Sequence, residues 1–322
     1  MTDEPRLPSD SPPEEDETET GTPRRGTALR FFLLPLLVVG TAVVIFLVFN
    51  LMTFERRSPA DYLQEVRGGT ANRRWQAAFE LSREVVRVPA GPERQVLASE
   101  TLRVFQSLSR RPEDVLVRRY LVLVLGKLQE PEAVAALLSA AKDPDSETRL
   151  YAVWALGRIG DRAAVPAVLE SSVSDDPGAR KMAAYVLGRL GDPRAVPRLQ
   201  VLLEDPVADV RWNAAIALAS LGDRSGLATL RSIVDRPSLS RQANLTPDQA
   251  EVAMVNALKA LGALRDAETL PLLERVARED PNLQVRQAAR DAVEATRRGA
   301  RVPAPAPSPT ANLERPDVLL VG

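Results

Sequence analysis

The chain has 322 residues, of which 45% are hydrophobic and 26% are charged, and its net charge is −1 at pH 7. This apolar content is enough to build a core, so disorder of the whole chain is excluded. Cysteine and histidine are both absent, which rules out disulfides, thiol nucleophiles, serine–histidine triads and histidine-ligated metal sites. No nucleotide-binding glycine loop occurs either. We therefore expect a protein that is not an enzyme and that binds no metal or cofactor.

The chain begins with an acidic leader and an apolar stretch. Residues 1–20 contain eight acidic residues and one arginine, interspersed with prolines. Such a segment buries too little apolar surface to order itself, so we predict a disordered tail over residues 1–30. An uncharged stretch of 24 residues runs from Phe31 to Phe54. Because a helix crosses a bilayer with about 20 apolar residues, the stretch predicts one transmembrane helix over residues 31–54.

This stretch is interpreted as a retained anchor and not as a cleaved signal peptide. The apolar core of a signal peptide has only about 7–15 residues, and no small-residue cleavage site follows here before Glu55. Arginines flank the stretch almost equally on both sides, so they indicate its orientation weakly. We expect a single-pass protein of the cell (inner) membrane, with its N-terminus in the cytoplasm and the residues after the span on the non-cytoplasmic side.

Internal repeats dominate the rest of the chain. Several residue types recur at an interval of 31 residues, among them an arginine, a glycine and a Gly-Asp pair. The arginines are Arg118, Arg149, Arg180 and Arg211, the glycines are Gly126, Gly157 and Gly188, and the pairs begin at Gly160, Gly191 and Gly222. Several positions with one shared period indicate a repeat architecture.

Each repeat is typical of two helices. Alanine and leucine recur at helical spacing after each arginine, as in Ala152, Ala155 and Leu156. The Gly-Asp pair then suits a left-handed helix end followed by a new helix start. One such hairpin cannot bury its apolar face alone, whereas stacked copies can. The pattern predicts an all-α solenoid of stacked helical hairpins over residues 58–298, with the clearest repeats at 113–235.

The repeat text GARKMAAYVLGRLGDPRAVPRLQ, at residues 178–200, resembles the HEAT-like repeats of the phycobilisome-lyase type. The resemblance implies a HEAT-like α-solenoid. Some relatives attach bilins to phycobiliproteins, and others are deoxyhypusine hydroxylases that hold a di-iron centre through His-Glu motifs. A chain without histidine cannot carry that di-iron chemistry. Most arrays of this kind are scaffolds that bind partners, and the fold alone does not decide the function.

Three further segments are predicted. Residues 236–250 interrupt the period by 12 residues and are expected to form a protruding loop. Residues 282–298 carry polar residues where earlier copies carry apolar ones, which favours a terminal cap. Residues 299–322 are rich in proline, which predicts a disordered, extended tail.

The repeated arginine starts the second helix of each hairpin and allows two interpretations. We call these residues the repeat arginines: Arg74, Arg118, Arg149, Arg180, Arg211 and Arg286. In the first interpretation each one ties neighbouring repeats together through acids in adjacent turns. In the second each one contacts a ligand. The sequence favours the first.

A candidate binding face follows from the same register. Positions one, five and nine after the repeat arginine share one side of the second helix, which we call the second-helix face. Over five copies this face holds all three tryptophans, six basic residues and no acid. Its candidate partner-binding residues are Trp75, Phe79, Arg119, Lys127, Trp154, Arg158, Lys181, Tyr185, Arg189 and Trp212. The alternative is that the aromatic rings pack between helices while the arginine heads extend to solvent.

Three functions are compatible with these features. The leading hypothesis is a membrane-tethered scaffold that binds a protein or peptide partner through charge and cation–π contacts. This partner would be acidic, carry aromatic residues, or belong to a membrane complex. The second is a lyase or chaperone-like factor that assists attachment of a pigment or prosthetic group. The third is a binder of anionic lipid or polysaccharide at the membrane surface. The net charge argues against nucleic acid, and the oligomeric state is left open.

Overall fold

The computed structural model describes residues 25–53, 57–108, 112–242 and 245–298. The described residues form two compact units, one before residue 57 and one from residue 57 onward. Within the described ranges the regular elements are helices, and no strand is present. The predicted disordered tails fall largely outside these ranges, since residues 1–24 and 299–322 are not among the described residues.

The first unit contains one helix, α1 (Arg25–Thr53). It begins at Arg25, so the last six residues of the predicted disordered leader are helical instead. Pro35 lies inside the helix, and the Thr41 hydroxyl donates to the carbonyl of Leu37 at 2.8 Å. Side chains are described at Leu33 and from Pro35 to Val48, and the large apolar ones among them are exposed within this unit.

The predicted transmembrane helix and single-pass membrane location are corrected by this structure. Among the residues described, no helix is both long enough and apolar enough to cross a membrane. A spanning helix needs about 20 apolar residues, and the predicted span over residues 31–54 lies in part outside the residues whose side chains are described.

The second unit contains seven helical hairpins within the described residues. The first helices of the hairpins are α2 (Pro59–Gly68), α4 (Pro92–Ser107), α6 (Val134–Ala140), α8 (Val165–Ser171), α10 (Val196–Leu202), α12 (Leu227–Val234) and α15 (Leu270–Glu279). The second helices are α3 (Ala71–Glu84), α5 (Val115–Leu128), α7 (Ser146–Ile159), α9 (Pro177–Leu190), α11 (Ala208–Ser220), α14 (Pro247–Leu264) and α16 (Leu283–Arg298). One additional helix, α13 (Arg236–Gln242), lies between α12 and α14. Each second helix packs against the first helix of its own hairpin and against the second helices beside it.

The Gly-Asp pairs form the turns that the sequence predicts. Gly160 and Gly191 end α7 and α9 in the left-handed conformation, with φ of 82° and 63°. This region favours glycine because a Cβ is strained there. The carboxylate of Asp161 then accepts from the amide of Ala163 at 2.8 Å, and that of Asp192 accepts from the amide of Arg194 at 2.9 Å. The next element therefore starts with its free amides satisfied.

Small residues allow the second helices to approach closely. A Cβ built at Gly126 in α5 would lie 2.7 Å from the Trp154 ring and 2.9 Å from the backbone Cα of Ala155 in α7. The same position in α7 is Gly157, where a Cβ would lie 2.7 Å from Val186 of α9. Leucine and alanine side chains of these helices are fully buried between the two rows. The repeated glycine is thus a packing requirement between neighbouring hairpins.

The segment at 236–250 differs from its prediction as a loop. It contains α13 and the first turn of α14, leaving only a short connection around residue 245. Leu239 of α13 is buried, and Arg236 forms an ion pair with Asp280, with Nε–Oδ2 at 2.6 Å and Nη2–Oδ1 at 2.8 Å. Thr246 caps α14 and exchanges hydrogen bonds with Gln249. The insertion is therefore packed onto the solenoid.

Candidate partner-binding face

Four of the repeat arginines connect a turn to the helix that follows it. Arg149 donates through Nη1 to the carbonyls of Asp143 and Pro144, at 2.8 and 2.9 Å. Arg211 makes the same pair of bonds to Asp205 and Pro206, at 2.7 and 3.0 Å. Arg180 and Arg286 make the same pair of bonds, so these four repeat arginines share one geometry. These bonds satisfy carbonyl groups of the turn that helix hydrogen bonds leave open.

Three repeat arginines also reach the next hairpin, and one of them, Arg74, pairs with Asp114 through Nη1–Oδ1 at 2.9 Å. Arg118 pairs with Asp143 through Nε–Oδ2 at 3.0 Å and Nη2–Oδ1 at 3.2 Å, and both side chains are only 4% exposed. Arg180 pairs with Asp205 in the same two-pronged way, at 2.7 and 3.0 Å. This hydrogen bonding from Arg180 lowers the pKa of Asp205. The predicted tie between neighbouring repeats is therefore confirmed at these positions.

The stacking of α3, α5, α7, α9 and α11 places the ten candidate residues on consecutive helices of one row. Their exposure differs widely. Trp154, Tyr185 and Trp212 are only 4%, 5% and 5% exposed, while the other seven are half-buried. The Trp154 ring lies against Gly126 of the preceding helix. Three of the largest candidate side chains therefore pack between helices.

Two of the half-buried aromatic residues lie at the start of the row. The Phe79 ring contacts that of Tyr120 edge-on, with centroids 5.2 Å apart, and the Arg83 guanidinium lies 5.7 Å from the Phe79 centroid. Trp75 and Phe79 also line a surface recess of about 690 Å³ together with Tyr62 and Gln76. This end of the face offers aromatic surface to a ligand.

The cations at position one pair with acids from the next hairpin. Arg119 pairs with Asp145 through Nη2–Oδ1 at 3.1 Å and also with Glu147, and Lys181 pairs with Asp209 at 3.4 Å. These acids were missed because they lie before the repeat arginine, in the first turn of the following second helix. The face that reads as purely basic in sequence is therefore partly neutralised.

The cations at position nine extend in the opposite direction along the row. The Lys127 ammonium donates to the carbonyl of Ser82 at 2.7 Å, and Arg189 Nε donates to the carbonyl of Gly157 at 3.0 Å. Both acceptors lie near the end of the preceding second helix, where cations are favoured by unpaired carbonyls. Arg158 departs from this arrangement, since its guanidinium lies 5.9 Å from the centroid of the Trp154 ring. Its Nε is buried and has no hydrogen-bond partner within the described part of the chain.

A pocket of about 330 Å³ lies in the row between α11 and α14. It is beside the first turns of α14, which has 18 residues against 13 in α11. Its apolar walls come from Ile216, Ile233, Leu245, Val252 and Ala253. Lys181 and Trp212, two of the ten candidate residues, line it as well. The break in the 31-residue period is the sequence signal for this pocket.

Two residues that line the pocket keep buried N–H groups without an acceptor. They are Trp212, through Nε1, and Asn256, through Nδ2. Neither group has a hydrogen-bond partner among residues 57–108, 112–242 and 245–298. An unpaired buried donor costs about 1–3 kcal/mol, so such groups are uncommon. Sequence reasoning missed Asn256 entirely.

These features define an all-helical HEAT-like solenoid with one continuous row of second helices. A family described as HEAT repeats matches residues 102–179 and 167–246, the region in which the repeat period is strictest. This confirms the repeat class expected from the sequence.

A solved structure shows the same fold. The chain is similar to one from the complex of CpcE and CpcF of phycocyanin lyase from Nostoc sp. PCC7120, at 21% identity over 83% of this chain and 97% of that chain, with a TM-score of 0.53. Similarity to human deoxyhypusine hydroxylase in complex with glycerol is weaker, at 18% identity over 74% of this chain and 84% of that chain, with a TM-score of 0.33. No curated protein matches the sequence significantly. At these identities the likeness concerns the fold.

Proposed function

We propose that this protein is a non-enzymatic scaffold that binds a protein partner along the second-helix face. The observation that carries the proposal is the continuous row of second helices, which presents one repeated side of seven stacked hairpins as a surface. Solenoids of this kind offer extended binding surfaces to their partners. The similar phycocyanin lyase chain comes from a complex of two proteins, which supports the same reading.

The part of the face that we assign to the partner differs along the row. The cations at positions one and nine already bridge neighbouring helices, so they are poor sources of free positive charge. Aromatic surface is accessible at Trp75 and Phe79. We therefore assign the main contacts with the partner to Trp75 and Phe79 at the start of the row and to the pocket beside α11. The central residues Trp154 and Tyr185 are buried and are assigned to packing between helices.

Photo-crosslinking tests this proposal. p-Benzoylphenylalanine is placed at Gln76, beside the recess, and at Ser220, position nine of α11. Control sites are Val173 and Val201, which are exposed on the side of the first helices. We expect one and the same partner to crosslink from Gln76 and Ser220 and not from the controls. Adducts from Val173 and Val201 alone, or no adduct at any position, would contradict the proposal.

A second candidate function is assistance in attaching a bilin pigment, supported by the fold shared with the phycocyanin lyase chain. The purified protein would then change the visible absorbance of added phycocyanobilin at stoichiometric protein concentration. If the pigment spectrum is the same with and without the protein, this candidate is rejected.

A further inference from the structure

We propose that the pocket between α11 and α14 is an anchor site for one apolar side chain, of about leucine size, from an extended segment of the partner. The inference rests on the proposed function, because the pocket opens among residues of the second-helix face. Lys181 and Trp212 belong both to that face and to the pocket. A segment lying along the row would therefore pass over the pocket.

The volume and walls of the pocket select the kind of group that fits. At about 330 Å³ it lies at the lower end of the range for small-molecule sites, and its walls are mainly aliphatic. A branched side chain together with the peptide groups on either side of it fits such a space, and the apolar surface of the side chain is then removed from water.

The two unpaired donors select the polar part of the occupant. Trp212 Nε1 and Asn256 Nδ2 are N–H groups, so the complementary group is a hydrogen-bond acceptor. A peptide segment supplies acceptors next to every side chain through its backbone carbonyls. A carbonyl beside the anchoring side chain would satisfy donors that the free protein leaves unsatisfied within its described residues.

Charge at the pocket decides between partner sequences. Asp209 and Asp248 both line it, and the one cation, Lys181, is already paired with Asp209 at 3.4 Å. A carboxylate beside the anchoring side chain would meet this negative charge, whereas a neutral or basic neighbour would not. The anchoring segment is therefore apolar at its centre and neutral or basic at its flanks.

Fluorine NMR of the full chain labelled with 5-fluorotryptophan tests the site directly. The chain has three tryptophans, so three resonances report on Trp75, Trp154 and Trp212, assigned by single substitutions to phenylalanine. The probe is the blocked pentapeptide acetyl-Lys-Gly-Leu-Gly-Lys-amide. Comparison ligands are the same peptide with serine at its centre, the same peptide with aspartate flanks, and free N-isobutylacetamide.

We expect the leucine peptide to shift the Trp212 resonance saturably and to leave those of Trp75 and Trp154 in place. The serine and aspartate peptides should bind at least tenfold more weakly. An absent shift at Trp212, or equal shifts at all three tryptophans, would overturn the proposal. Binding of N-isobutylacetamide as tight as that of the peptide would assign the pocket to small molecules instead.

Three variants locate the interaction. Asn256→Leu removes an unpaired donor and should raise the Kd about three- to tenfold, the effect of one hydrogen bond, while melting stays the same or rises. Ala253→Phe should abolish binding, because the added ring occupies part of the pocket. The matched control is Asn72→Leu, because Asn72 is exposed in α3 and does not line the pocket; its Kd should change less than twofold.

An unchanged Kd in Asn256→Leu would show that the buried amide is merely unsatisfied, and the inference would fail. This failure is separate from that of the scaffold proposal. Crosslinking from Gln76 and Ser220 that persists in Ala253→Phe at wild-type partner affinity would reject the anchor and keep the scaffold.

Discussion

At the residue scale, the second-helix face is held together by side chains that bridge neighbouring hairpins. Arg119 and Lys181 pair with acids of the next hairpin, and Lys127 and Arg189 donate to carbonyls of the preceding one. Half-buried pairs of this kind fix the geometry of adjacent helices and keep the cations from acting as free charges. Trp154, on the same face, is buried where its ring packs against Gly126 of α5.

The burial of Trp154 leads to a stability prediction. Trp154→Ala should lower the free energy of unfolding by about 3–5 kcal/mol, because it leaves a cavity against Gly126 and α5. Trp75→Ala, at a half-buried position of the same face, is the control and should cost clearly less. The measurement is chemical unfolding followed by circular dichroism. A Trp154→Ala protein with the wild-type midpoint would indicate a ring that serves binding and not packing.

The carboxylates of the turns predict sensitivity to acid. The hydrogen bond from Arg180 lowers the pKa of Asp205 below its ordinary value of 3.8, and that from Arg194 lowers the pKa of Asp192 to about 2. A carboxyl group with a lowered pKa in the folded state stabilises the fold above pH 4. That stabilisation is lost as the pH falls through the folded-state value. We expect the midpoint temperature of thermal unfolding to fall steeply as the pH is lowered from about 4 to about 2.

A single variant separates Asp205 from the other acids. Asp205→Asn should be less stable than the wild type at pH 7, and the difference should shrink as the pH falls below 4. The reason is that the wild-type carboxylate then takes up a proton and loses its ion pair with Arg180. Parallel stability curves for the two proteins from pH 7 to pH 2 would contradict the assigned role.

At the element scale, the solenoid depends on how closely the second helices approach one another. Gly126 lies where a Cβ would meet the Trp154 ring and the Ala155 backbone. The Ala155 backbone cannot move aside without displacing α7 as a whole. The repeated glycine thus determines the spacing between hairpins, while the alanines and leucines around it fill the core.

Substituting this glycine by alanine tests the close approach. Gly126→Ala should destabilise the protein by about 1–3 kcal/mol, since overpacking outweighs the gain of about 1 kcal/mol in helix propensity. Gly68→Ala is the matched control, because a Cβ there meets nothing within 4 Å; it should be neutral or stabilising. Thermal unfolding of both variants provides the comparison. A stabilised Gly126→Ala protein would show that the helices have room to spare.

The hairpins were predictable from the sequence because their signals are local and repeated. The Gly-Asp turns at Gly160 and Gly191 are examples. The insertion was predicted as a loop because its order depends on a contact 44 residues away, between Arg236 and Asp280. The capping residues Thr246 and Gln249 were a readable sign of α14. The acids beside Arg119 and Lys181 were not foreseen, since they come from the next hairpin.

At the scale of the second unit, each hairpin contacts mainly its neighbours, so stability should behave as a sum of local interfaces. Asp143→Ala breaks the buried pair with Arg118 and should increase amide hydrogen exchange in α5 and α7 while leaving α14 and α16 unchanged. The control is Lys142→Ala, whose pair with Glu170 is exposed and contributes little. A uniform increase across all helices would mean that the unit unfolds as one cooperative block.

The most direct measurement of partner binding along the second-helix face is hydroxyl-radical footprinting of the full chain. It compares the free protein with the protein bound to the purified partner that the crosslinking experiment identifies. We expect the partner to lower oxidation of Trp75, Phe79 and Ile216, which lie on this face. Oxidation of Val173 and Val201, exposed on the side of the first helices, should stay the same. Protection of Val173 and Val201 with unchanged oxidation of Trp75 and Phe79 would place the partner on the opposite surface and contradict the scaffold proposal.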